Sequence, residues 1–348
     1  MVKLIDIAER LNLSRMTVSS VLNNRYRALG ISEATAERVI ETAKDMGYRR
    51  NQLAMAVKTG KTFTLGIIIG DEHIVDWIGE MLKGAFDAVR ETDYSVKVDV
   101  VPNSEDVMSP LSSFLGHRVE GILGINLQPP QKTAMKFRQE TEKYGLPLIC
   151  SNSHPDLSAC EVEPDHEGGA ILAMKHLAEL GHKKIAYIGG DSRSEAGIRR
   201  KQGFLKSLEE LHLGLQPGHI LECEWKIPKA EAGAEQLLKN PKTAPTAILC
   251  GNDEMAVAAI RRARKMGYRV PDDISVIGFS NEPLSILSDP PLTVIDMHHE
   301  QVGKKSFELL IESVDKKTNK KEGHPLTGMT ILPTTLVQRE STAPPKKK

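Results

Sequence analysis

The chain holds 348 residues, enough for one small domain and one or two full-sized ones, and its formal net charge is zero. Its cysteines, Cys150, Cys160, Cys223 and Cys250, have no paired spacing, so neither a disulfide framework nor a zinc site is suggested, and no metal or cofactor is expected. No apolar run approaches membrane-spanning length and the N-terminus lacks the apolar core of a signal peptide, which points to a cytoplasmic protein.

The stretch Asp6–Asn23 reads as two short helices joined by a tight turn. The first buries Leu4, Ile7, Ala8 and Leu11, an apolar stripe at helical spacing. Asn12 stands where the turn needs a left-handed residue, and Ser14 is a natural N-cap for a second helix that buries Val18, Val21 and Leu22. Arg15, Met16, Thr17 and Ser20 are left pointing outward. This is helix-turn-helix chemistry, although spacing alone also permits an ordinary helical hairpin. A third helix opens at Ser32, buries Val39, Ile40, Ala43 and Met46, and stops at Gly47. Residues 1–62 carry eleven Lys or Arg against six Asp or Glu, a balance of +5 that leaves −5 on the remainder of a neutral chain. A basic head on an acidic body suits nucleic-acid binding by the head.

After Gly60 the pattern changes to short apolar runs alternating with amphipathic helices. Leu65–Ile69, Ser95–Val101, Gly121–Ile125, Pro147–Ser151, Lys184–Ile188, Ala247–Cys250 and Ser275–Phe279 read as parallel strands. Ile78–Arg90, Gly168–Leu180, Arg200–Leu211, Glu231–Leu238 and Met255–Lys265 read as the helices between them. That alternation predicts an α/β body of doubly wound sheets, divided into two lobes near Glu161–Asp165. Leu292–Asp296, a helix over Val302–Val314, Thr330–Leu332 and Leu336–Arg339 are expected to cross back and complete both lobes, and residues 343–348 to form a disordered tail.

The N-terminal run resembles the DNA-binding region of the lactose repressor (LacI/GalR) family, through Ser14, Thr17-Val18-Ser19, Val21-Leu22-Asn23, Ser32, Gly47-Tyr48-Arg49, Asn51, Leu53-Ala54 and Thr59-Gly60. The body extends the resemblance through Arg118–Leu123, Gly145–Ile149, Asp165, His176–Gly190, Asn252–Ala256, Val270–Phe279, Pro290–Thr293 and Arg339–Thr342. The resemblance implies a helix-turn-helix domain at 1–50, a hinge helix and linker at 51–62, and an effector-binding and dimerisation domain at 63–342. The latter would have two lobes of periplasmic-binding-protein type, about 63–161 plus 293–320 and about 162–290 plus 323–340.

On the DNA side the resemblance makes Arg15 and Met16 the sequence-reading pair, with Ser20 where many members carry another base-reading arginine. Arginine can contact guanine bidentately, while methionine offers only apolar contact or stands as an exposed spectator. Ser14, Thr17 and Asn23 are assigned to phosphates. Asn51, Ala54, Met55 and Val57 fall on the segment that folds on DNA, with Val57 at the wedge position. Arg25 and Arg27 either reach backbone phosphate or are loop charges.

On the effector side the resemblance selects Trp77, Ile78, Asp165, Arg200, Trp225, Asn252 and Ser280. The two tryptophans stack on ligand or pack in the core, Asp165 touches ligand or supports structure, and Ser280 replaces a frequent ligand-binding aspartate. The expected protein is a ligand-responsive DNA-binding regulator, in the sense of a repressor, and not an enzyme. Its expected partners are a pseudo-palindromic operator, a sugar-like or nucleobase-like effector, and a second copy of the chain. An enzyme on a Rossmann-like scaffold finds no Gly-rich fingerprint after Leu65–Ile69, and a pure solute-binding protein would need an export signal.

Overall fold

In this computed structural model residues 2–22, 26–48, 56, 60–70, 76–102, 106–318 and 327–346 are described. The chain divides into two compact units, residues 1–62 and 63–348. Of the expected positions, Asn23, Arg25, Asn51, Ala54, Met55 and Val57 lie outside the described residues.

In the first unit, α1 (Leu4–Leu11) ends on Asn12, left-handed at φ 52° and ψ 45°. The turn closes through a 2.9 Å bond from the Leu13 amide to the Ala8 carbonyl. Helix α2 (Arg15–Leu22) starts where Ser14 Oγ accepts the Thr17 amide at 2.9 Å, satisfying one of the orphan donors of the first turn. A single 3-10 turn (Arg27–Leu29) leads to α3 (Glu33–Asp45), capped by Ser32. Ile7, Ala8, Val18, Val21, Tyr26, Ala36, Val39 and Ala43 form the core. Ile40 was expected in that core but is half exposed, because Ala36, Val39 and Ala43 already fill the i, i+3, i+7 stripe that α3 turns inward. Arg27 is held by Glu33, whose other oxygen accepts from Tyr26 at 2.8 Å.

The second unit begins with β1 (Thr64–Ile69), α4 (Asp76–Val89), β2 (Ser95–Val100), α5 (Met108–Gly116), β3 (Ile122–Ile125), α6 (Gln131–Lys143), β4 (Leu148–Ser151) and β5 (Cys160–Pro164). There follow α7 (His166–Glu179), β6 (Ile185–Gly189), α8 (Glu195–Glu210), β7 (Ile220–Glu222), α9 (Ile227–Leu238), β8 (Ala247–Cys250), α10 (Asp253–Lys265), β9 (Ser275–Ser280), α11 (Pro283–Leu287) and β10 (Thr293–Asp296). The chain closes with α12 (His299–Thr318), β11 (Gly328–Leu332) and β12 (Thr335–Val337).

Two six-stranded sheets result, ordered β11-β5-β4-β3-β1-β2 and β12-β10-β9-β8-β6-β7. Their described pairs are parallel except for β12 against β10. Each sheet is buried on both faces, which explains why β1, β3, β6 and β8 read as unbroken apolar runs.

The chain passes between the lobes at residues 165, 297–298 and 333–334, which corrects the expected allocation. Thr293–Asp296 joins the second sheet beside β9, because α11 supplies a short crossover back into the same sheet. Gly328–Leu332 joins the first sheet beside β5, not the second. Cys160–Pro164 is itself a strand of the first sheet, hidden in the sequence by Glu161 and Glu163. The expected disordered tail is anchored as far as residue 346: the Ala343 amide donates to Ser275 Oγ at 3.0 Å, and Lys346 pairs with Asp273 at 2.5 Å.

Helices α4 and α12 cross by backbone contact. A Cβ on Gly84 would collide with the Glu300 carbonyl, and one on Gly303 with the Met81 carbonyl. Gly303→Val is therefore expected to destabilise the body by about 1–3 kcal/mol through forced separation of the helices, seen as a lower Tm in calorimetry. Gly79→Ala, with open space around its Cβ, should be neutral or stabilising in the same scan.

Candidate functional site

The C-terminal ends of parallel strands and the three crossings lie together in this topology, the position where open α/β sheets take ligands. The crossings are tied to one another. The Asp165 amide donates to the Leu332 carbonyl at 2.8 Å, and His298 Nε2 and Thr335 Oγ1 lie 2.9 Å apart. Within the second lobe, Asn281 donates to Asp296 at 2.9 Å and accepts from Arg339 at 2.5 Å.

Arg200, on α8, is the centre of the site, and only 5 % of it is exposed. Its Nε donates to His166 Nδ1 at 3.3 Å and its Nη1 to the Gly251 carbonyl. Its guanidinium carbon lies 4.7 Å from the Phe279 ring centroid and 5.5 Å from that of Trp225. Burial pulls its pKa down to about 10, so it stays protonated at neutral pH.

Around it are further groups, of which the resemblance had placed only His166, with Asp165, beside the cleft. His166 Nε2 approaches Glu163 Oε2 to 3.7 Å, across the first crossing. Glu163 accepts the Asn152 amide at 2.5 Å, and burial raises its carboxyl to about 8. His299 opens α12 with its ring centroid 5.4 Å from that of Trp77. Burial, followed by the field of Arg200, lowers its pKa to about 3. Asp253, capped by the Glu282 amide at 2.9 Å, is raised by burial to about 8, and Glu282 to about 7. The Nε2 atoms of His166 and His299 and Oδ1 of Asp253 have no hydrogen-bond partner. A lone histidine or carboxylate inside an otherwise apolar stretch carries no sequence signal of this kind.

The selected effector positions divide in three ways. Arg200, Trp225 and Trp77 come to this cluster, with Trp225 laid on the backbone of Gly190, where a Cβ would collide with the indole. Asp165 and Asn252 cap helices, accepting from the Gly168 amide at 2.8 Å and the Met255 amide at 2.9 Å, and Ser280 closes β9 at φ 122°. Ile78 does not line the site: it is fully enclosed in the core of the first lobe, because α4 turns Ile78, Met81 and Ala85 inward as one stripe. In the head, Arg15 and Met16 are exposed, Met16 by 74 %, and Thr17 and Ser20 are partly exposed.

Residues 3–51 match the family of bacterial regulatory proteins, lacI family, and residues 174–342 match the periplasmic binding protein-like domain. The HTH-type transcriptional repressor PurR of Aliivibrio salmonicida is 31 % identical over 325 residues, 92 % of this chain and 95 % of that protein. The NTD biosynthesis operon regulator NtdR of Bacillus subtilis is 30 % identical, over 97 % of this chain and 98 % of its own. The lac repressor dimer bound to operator and the anti-inducer ONPF superposes with a TM-score of 0.77 at 25 % identity, covering 98 % of this chain and 99 % of that one.

The folded protein keeps His299 neutral while the unfolded chain takes up a proton below pH 6.5, so acid favours unfolding in the window from 6.5 to about 3. One such proton steepens the loss of stability by about 1.4 kcal/mol per pH unit. His299→Gln is expected to flatten the acid limb by that slope, measured by urea titrations at pH 7, 6 and 5.

Proposed function

The chain belongs to the lacI family of bacterial regulatory proteins, and from that premise we propose a repressor that grips operator DNA with its head and is switched by a small molecule bound between the lobes. The observation carrying the sensor half is Arg200, buried beside the rings of Phe279 and Trp225 at the strand ends where such folds take ligands. The observation supporting the output half is α2, which leaves Arg15 and Met16 exposed while Val18 and Val21 are spent on the core.

In this reading Arg15 and Met16 read bases, while Ser14, Thr17 and Ser20 contribute register or further contacts, as do Asn23, Asn51, Ala54, Met55 and Val57 beyond the described residues. Arg200, Trp225 and Trp77 hold the effector, a sugar or related metabolite. Asp165, Asn252 and Ser280 shape the loops that surround it. Such a protein works in the cytoplasm, where its DNA is; among the described residues no helix is long and apolar enough to cross a membrane.

Binding changes the relative population of lobe arrangements, and operator affinity changes by whatever difference in free energy the effector has for them. Two heads on one pseudo-palindromic site require a second copy of the chain. Helix α11 offers a face for it: Leu287 is 82 % exposed, Ile286 58 % and Leu284 37 %. Leu287→Glu is expected to raise the dimer dissociation constant at least tenfold in sedimentation equilibrium.

The switch is tested by anisotropy of a fluorescent duplex selected by the full chain from a random pool. Arg15→Ala should cost about 1–3 kcal/mol on the selected site, with little loss on random DNA. Arg200→Gln should leave operator affinity near wild type and abolish its response to ligand. An operator affinity that stays constant across every ligand bound by the body would refute the switch.

A further inference from the structure

Hydrogen bonds run from the strand ends of each lobe towards the other and stop one link short of joining. In the first lobe Asn126 Nδ2 donates to the Gly70 carbonyl at 3.3 Å, and Asn152 Nδ2 donates to Asn126 Oδ1 at 2.9 Å. The Asn152 backbone N–H then donates to Glu163 Oε1 at 2.5 Å. In the second lobe Arg200 donates from Nη1 to the Gly251 carbonyl and from Nε to His166 Nδ1 at 3.3 Å. Between the two series stand Glu163 Oε2 and His166 Nε2, 3.7 Å apart and beyond hydrogen-bond distance. Because His166 Nδ1 accepts, the proton of its neutral ring is on Nε2, and that N–H is buried without a partner.

The gap falls on the first crossing between the lobes. Glu163 lies near the end of β5 and His166 opens α7. Only Pro164, whose ring fixes its φ, and Asp165, at φ −73° and ψ 83°, stand between them. Asp165 is close to the inverse γ-turn, neither helix nor strand, and hinges are element-terminal residues of this kind. Rotation of one lobe against the other about this crossing therefore changes the Glu163–His166 separation directly. Resting on the reading of the body as a two-lobed switch, we propose that Glu163 and His166 form a latch across the crossing, open in this structure and closed in the alternative lobe arrangement by a hydrogen bond from His166 Nε2–H to Glu163 Oε2.

The protonation of Glu163 sets the latch. The N–H groups of Asn152 and His166 both need an acceptor, and an ionised carboxylate offers one oxygen to each. When the carboxyl is protonated, Oε1 is taken by Asn152, so the proton sits on Oε2 and one donor faces another. Burial holds Glu163 at about 8, which keeps the latch mainly open at pH 7. Closing it favours the carboxylate, so rising pH shifts the lobes towards the closed latch. Glu161 on β5 and Glu195 on α8 oppose that ionisation, while the Asn152 amide and Arg199 on α8 favour it. On β4 the Cys150 thiol is buried and stays protonated, and β11 brings no ionisable side chain. His166 faces Arg200 and Arg199 on α8 and His299 on α12; burial first, then these groups, keep its ring a neutral donor.

All four cysteines are buried, so cysteines introduced at exposed Met135 in the first lobe and Leu215 in the second accept a donor and acceptor dye. A trace of labelled full chain in excess unlabelled chain confines energy transfer to one chain, read from about pH 6.5 to 9.5 at constant ionic strength. The distance of both dyes from the crossing amplifies a small rotation there. Transfer efficiency should change in a single one-proton step centred near pH 8. Glu163→Gln, whose amide has one acceptor oxygen for two N–H groups, should hold the low-pH value throughout. His166→Phe should abolish the step as well, whereas Glu161→Gln should keep it. Thermal melts confirm that each variant is folded. A wild type without the step, or a step that survives in Glu163→Gln or His166→Phe, overturns the latch. Operator anisotropy keeps the two readings apart. A step in energy transfer with constant operator affinity leaves the latch standing and removes the switch. Operator affinity that answers a ligand while the wild type shows no step leaves the switch standing and removes the latch.

Discussion

A guanidinium taken out of water costs several kcal/mol unless the protein returns most of what hydration supplied. Arg200 is returned only part of it: a carbonyl at Gly251, an imidazole nitrogen at His166, and the faces of Phe279 and Trp225. Everything near it is arranged around that single charge. Its field helps to keep His166 and His299 unprotonated, and burial keeps Glu163 and Asp253 protonated beside it. The result is one buried positive centre with hydrogen-bonding capacity left over around it. That combination has little value for stability and considerable value for recognition.

The junction gains a second property from the path of the chain. Glu163 belongs to the first sheet, Arg200 packs on the second, and His166 stands just past the crossing between them. Asp165, Leu332, His298 and Thr335 tie the crossings directly through hydrogen bonds. The close approach of α4 and α12 through Gly84 and Gly303 makes the first lobe a rigid partner in that exchange. A ligand acting on Arg200 therefore acts on the place where both lobes are joined.

The head follows a different economy. Its small core leaves little surface to spare, and Arg27 and Tyr26 are both committed to Glu33. What remains outward on α2 is chemically mixed, one arginine and one methionine at its start. In the proposed reading, specificity from such a pair would rest on one bidentate donor and one apolar contact, a modest code that doubling on a symmetric site strengthens.

The local features were legible in the sequence because local forces write them. The turn at Asn12, the cap at Ser14 and the apolar strands β1, β3, β6 and β8 each follow from backbone sterics, capping or burial within a few residues. The resemblance, not local pattern, selected Arg200 and Trp225, and the fold brings these two side chains together. Ile78 misled for the complementary reason: adjacency to Trp77 says nothing about which way each side chain turns on a helix, and burial decided that. The allocation of Thr293–Asp296 and Gly328–Leu332 to their sheets was equally invisible, because an apolar strand carries no mark of its partner. By itself the sequence determined the helices of the head, most strands and helices of the body in their order, and a basic head on an α/β body; Cys160–Pro164, Ile220–Glu222, Met108–Gly116 and Gln131–Lys143 were not among them. Only the tertiary structure decided that Glu163, His166, Asp253 and His299 surround one arginine, because their protonation and unmet hydrogen bonds arise from burial, and burial is a property of the assembled chain.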